Sequence, residues 1–178
     1  MDHTHSFVYN ESEAAKIGRR TGISFAALGV LIANILVTIF VSVDGGFGNG
    51  IVWFLNFDYW PSLLVGVVAV FLVSYFLCGR AAAVVVTRKK NEVWVGSATA
   101  ITVLFVSGLV AGLFLLLQKI ISGSTDSLLL IDFVLLPALI LTFYGFLPAS
   151  ILGICFGVVV KKKASTPETT STHEVAAA

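Results

Sequence analysis

The sequence is poor in charge. Asp, Glu, Lys and Arg together make up 12% of its 178 residues, about half the roughly 25% usual in soluble domains. That shortage excludes an ordinary soluble surface. A formal net charge of +1 also leaves too few Lys and Arg to build a basic face for nucleic acid. Cysteine is scarce as well. Cys78 and Cys155 both fall inside apolar stretches, so neither a disulfide framework nor a cysteine metal cluster is expected. The motifs of common chemistry are missing: no HExxH, no nucleophile–base pair, no phosphate-binding loop. DGGFGNG, residues 44–50, is rich in glycine but has no Lys or Ser/Thr where a P-loop needs them. No catalytic residue, cofactor or metal is therefore assigned, and an enzyme is the least supported class.

What the chain has is long apolar runs, with 57% hydrophobic residues and a mean hydropathy of +0.98. A membrane span needs about 20 apolar residues. Four stretches qualify, at about 23–43, 61–87, 93–117 and 130–160, and the last carries no charge between Asp132 and Lys161. The first is longer than the apolar region of a signal peptide, which runs to about 15 residues, and no A-x-A site follows it, so it reads as a retained span. The pattern predicts an all-α integral membrane protein of four transmembrane helices over 23–163. A short polar segment, 1–22, precedes them. A Ser/Thr/Ala tail without aromatic residues, 164–178, follows and is expected to be disordered.

Orientation follows from the basic residues, which favour cytoplasmic loops. Lys16, Arg19 and Arg20 precede the first span; Arg88, Lys89 and Lys90 join the second and third; Lys161 to Lys163 close the fourth. The other two connections hold none and one, the one being Lys119. Both termini are thus expected in the cytoplasm. Trp53, Phe54, Phe57, Tyr59 and Trp60 then read as an aromatic belt at the outer interface. The expected localisation is integral to a cell membrane.

A shift of 74 residues lays the second span on the fourth without a gap. Asp58 falls on Asp132, Gly79 on Gly153, and Val84 to Val86 on Val158 to Val160. If the match reflects a duplication, the chain is two tandem helical hairpins related by a parallel repeat. Valine-rich spans with basic ends also resemble each other by composition alone.

Each span carries small or polar residues at every fourth position. The third has Gly96, Ala100, Gly108 and Gly112; the fourth has Gly145, Ala149, Gly153 and Gly157; the first runs Gly22, Ala26, Val30, Asn34, Thr38 and Ser42. Such rows allow close helix approach. They can pack the four spans on each other. Alternatively Gly108 and Gly112, or the fourth-span row, face a second copy or another membrane protein. Asn34 is an amide near the middle of the first span, with Thr38 a turn further on; both read as interhelical glue or as polar groups beside a narrow pathway. Asp58 and Asp132 lie roughly 40 Å of helix from their basic ends, at the outer interface, where they suit a helix N-terminus or the mouth of a cation path. Pro137 and Pro148 predict a bend in the fourth span.

Two functions follow as expectations. The preferred one is a multi-pass protein acting through helix–helix packing, as an accessory or scaffolding subunit and a homo-oligomer, with the lipid bilayer and itself or another membrane protein as partners. The alternative is a small transporter or channel component with Asn34 near the pathway.

Overall fold

The computed structural model describes residues 11–45, 60–123 and 130–165. They form four helices: α1 Glu11–Gly45, α2 Trp60–Thr87, α3 Glu92–Ile121 and α4 Leu136–Ser165. A single π-helical turn, Ile131–Leu135, leads into α4. Each of the four is long and apolar enough to cross a membrane. Residues 46–59, with Asp58 and all of the expected aromatic belt except Trp60, and the tail from residue 166 lie outside the described residues; Trp60 starts α2 and is exposed.

The helices begin and end for local reasons. Lys89 takes a left-handed backbone conformation, φ +47°, which stops α2. Asn91 then caps α3, its side-chain oxygen accepting from the Val93 amide at 3.0 Å. Ahead of α4, the Leu136 amide donates five residues back, to the Ile131 carbonyl. The wide turn precedes Pro137, which has no amide to continue an ordinary ladder and whose ring would crowd the carbonyl of Phe133. The bend expected from this proline takes the form of a π turn, and α4 continues through Pro148 without ending.

α1 starts earlier than the apolar run at Ile23 suggests. Residues 11–22 are helical, and Ala14, Gly18, Thr21 and Gly22 are buried. Small residues at spacings of three and four pack this polar segment of about three turns onto α2, while Lys16, Arg19 and Arg20 stay exposed. A search for hydrophobicity alone passes over such a segment.

Around the bundle, α1 packs on α2, α2 on α3, and α3 on α4; α4 meets α1 over a shorter length. α2 and α4 touch across the middle, whereas the backbones of α1 and α3 nowhere come within 8 Å, Cα to Cα, among the described residues. The buried cluster sits toward the end that carries the basic residues. It comprises Cys78, Ala81, Ala82, Phe156 and Val160, with Phe25, Val86 and Val95 against it. Phe25 and Phe156 join α1 to α4 edge to face, ring centres 6.1 Å apart.

Candidate functional site

The candidate packing residues of α3 and α4 lie against each other. A Cβ on Gly96 would strike the backbone of Gly153, and one on Gly153 would strike that of Gly96. Gly157 abuts the Glu92 carbonyl, and Gly145 abuts the Leu104 side chain. Further along, a Cβ on Gly108 would come within 3.2 Å of the Ala138 Cα, and one on Gly112 within 2.8 Å of the Val134 Cα. These contacts keep an antiparallel register over most of both helices. Helices that stay in contact along rows of spacing four wrap in the right-handed sense of small-residue pairs. Gly108 and Gly112 thus face α4 within the chain, so they are not left open for a second copy. Ala149 is half-buried and lines a cavity instead.

The row on α1 behaves differently. Gly18 meets Ala82, and Gly22 meets Cys78, with its Sγ 2.8 Å from a Cβ placed there. Beyond Ala26 the row loses this close fit, and Val30 lines a cavity. Four residues turn a helix by about 400°, so three such steps carry Asn34 about 120° round from Gly22. Asn34 is exposed, makes no hydrogen bond among the described residues, and does not line the cavity. Asn34 thus stands outside this cavity. Thr38 is half-buried, and its carbonyl accepts from Ser42 Oγ at 2.7 Å. Two threonines of the other spans do the same, Thr99 donating to the Val95 carbonyl at 2.6 Å and Thr142 to the Ala138 carbonyl at 2.7 Å, whereas the buried hydroxyls of Ser107 and Ser150 have no partner among the described residues. Asn34 has no such outlet.

The cavity fills the diagonal where α1 and α3 fail to meet. It measures about 300 Å³ and is lined by all four helices, with Phe25, Ala33, Ser74, Val103, Ala149 and Phe156 among its walls. No lining residue is charged. Its rim carries Leu36 and Val37 of α1 and Leu141 and Tyr144 of α4, all exposed. No known protein family, curated protein or solved structure matches the chain. The geometry must speak alone.

At one end of the bundle the basic residues gather and are tied across helices. Arg19 of α1 lies 4.9 Å over the Tyr75 ring of α2 and donates to its hydroxyl at 3.4 Å. Lys163 of α4 donates to Thr21 Oγ1 of α1 at 3.4 Å, and Lys161 pairs with Glu92 of α3 at 2.8 Å. The Lys161 hydrogen bond holds the Glu92 carboxyl below the usual carboxylate range. At the other end Ser62 of α2 donates to the Gln118 side-chain oxygen of α3 at 3.1 Å. Asp132 is exposed on the π turn, at the start of the fourth helical stretch, where negative charge is favourable. Cys78 is a buried free thiol and Cys155 an exposed one. Among the described residues no group of His, Cys, Asp and Glu is arranged to hold a metal ion.

Sequence reading missed two features. The packing row of α1 continues backward through Gly18 and Ala14 at spacing four, a signal that was present but masked by charged neighbours. The cavity had no local signature, because its walls come from four separate helices.

Proposed function

We propose that this chain is a non-enzymatic, four-span membrane protein that acts through helix packing, as a self-associating accessory or scaffolding subunit. Both termini lie in the cytoplasm. In support, Arg19, Lys161 and Lys163 converge on one end of the bundle, as a positive-inside arrangement requires. The two hairpins support a tandem design. Gly18 and Gly22 meet Ala82 and Cys78, while Glu92 and Gly96 meet Gly157 and Gly153. Adding 74 to the first set reproduces the second with an offset of one residue on the returning helix.

One observation carries the self-association: Asn34 is exposed on a face shared with Ala27, Leu31 and Ile35. Counted from Arg20, it stands about 21 Å up a hydrocarbon core of about 30 Å. An amide facing lipid there lacks a partner for two donors and an acceptor. A second copy supplies one. Two chains inserted the same way present Asn34 at equal depth, and an amide is complementary to itself. Such interhelical bonds average about 0.6 kcal/mol, with a maximum near 1.7, so Asn34 sets the register of an interface whose area comes from Leu31 and Ile35.

The full chain in liposomes, labelled at one site and counted by stepwise photobleaching, tests this. Asn34→Leu lowers the dimer fraction several-fold, and Asn34→Gln retains it. An unchanged dimer fraction in Asn34→Leu sinks the assignment. A transporter for ions or polar solutes finds less support, since the cavity is uncharged and Asn34 stands outside it.

A further inference from the structure

The cavity between α1 and α3 is long and narrow. Its α1 wall extends from Gly22 to Val37, about 22 Å of helix rise. At about 300 Å³ it has twice the room of the ~150 Å³ apolar cavity that takes up benzene, enough for a chain of about a dozen carbons. Thr99, one of its hydroxyls, is already bonded to its own helix. Water finds few partners on such walls and leaves apolar cavities dry. A free fatty acid would bring a carboxylate to a site with no cationic or donor-rich lining, at a large desolvation cost. The rim residues Leu36 and Val37 stand about 24–26 Å above Arg20, in the outer part of the hydrocarbon core, where the surrounding medium is lipid tails.

We propose that this cavity is a lateral binding site for one acyl chain of an outer-leaflet phospholipid, which enters between α1 and α4 while its headgroup stays outside. The chain fills the diagonal that the helices leave empty and holds the outer half of α1 at its distance from α3. Ser74, Val103 and Phe156, all buried, form the floor that the chain tip reaches. The site rests on the chain lying in a bilayer, and it is independent of self-association through Asn34.

The test uses the full chain in nanodiscs containing a phosphatidylcholine with a diazirine near the end of one acyl chain. After illumination, adducts are mapped by peptide mass spectrometry. Lipid packed around the outside labels only exposed residues, whereas a chain in the cavity labels Val103 and Phe156. Ala33→Phe and Ala149→Phe, which occupy the space, cut those floor adducts several-fold. Ala98→Phe, on an exposed position away from the cavity, leaves them unchanged. Adducts confined to exposed residues in the unaltered protein overturn the proposal, and that result stands even if a filling variant fails to fold. Floor adducts that persist undiminished in a folded filling variant overturn it too. The dimer fraction, read separately, does not change with either outcome.

Discussion

The α3–α4 pair and the outer half of α1 start from similar sequence and end differently. Both begin with small residues at every fourth position, yet α3 touches α4 and its leading π turn from Glu92–Gly157 to Gly112–Val134, while on α1 the close backbone approaches end at Gly22, and Gly29 meets only the Leu152 side chain. The difference lies in what continues the row. On α3 it ends in Gly108 and Gly112, met by Ala138 and Val134, so the two backbones can wrap around each other. On α1 it continues as Val30, Asn34 and Thr38, which hold another backbone away. A glycine row makes a seam only when the partner supplies its own row in register.

The largest effect expected is at the seam. Gly153→Leu places a side chain against the backbone of Gly96 and Ser97, where no rotamer change gives relief. The cost exceeds the ~1–3 kcal/mol typical of overpacking. The variant should yield no monodisperse protein on size exclusion in detergent, and a normal yield with native melting would break the seam argument. Next comes a pair within α1. Gly22→Ala meets Cys78 and should destabilise by about 1–3 kcal/mol. Gly29→Ala meets only the Leu152 side chain, at 3.4 Å, and should stabilise by about 0.5–1 kcal/mol through helix propensity. Thermal melting of both variants locates where α1 parts from the bundle. Equal shifts would erase the boundary drawn at Ala26.

The smallest effect concerns the Glu92–Lys161 tie at the start of α3. The folded carboxyl titrates below its unfolded value because of the Lys161 hydrogen bond. Its stabilisation is therefore present above the usual carboxylate value near 4 and is lost as pH falls through the lowered one. Glu92→Gln should flatten that part of the acid limb in a melting-temperature series from pH 7 to 3. An identical acid limb in the variant would remove the pair from the account. Because the pair is exposed, the change is slight.

The four helices were legible because spans announce themselves by length and lack of charge. The glycines of α3 and α4 were legible as packing rows but not as partners of each other, since a row shows closeness without saying to what. Asn34 was legible as an anomaly. Its direction was not, because three steps of four residues carry it about 120° round the helix from Gly22, and only the position of the neighbours decides which side is inside. The π turn had one trace, Pro137, which signals a lost amide without saying how the helix absorbs it. The cavity had none.

The seam also carries a consequence in time. Gly96, Gly108 and Gly112 belong to a helix that is made before its partner, and the ribosome must add about 30 residues beyond Ile121, the end of α3, before Gly153 exists. Until then the glycine backbone of α3 lacks the row that covers it in the finished fold. The order of synthesis makes the last span the one on which correct assembly waits.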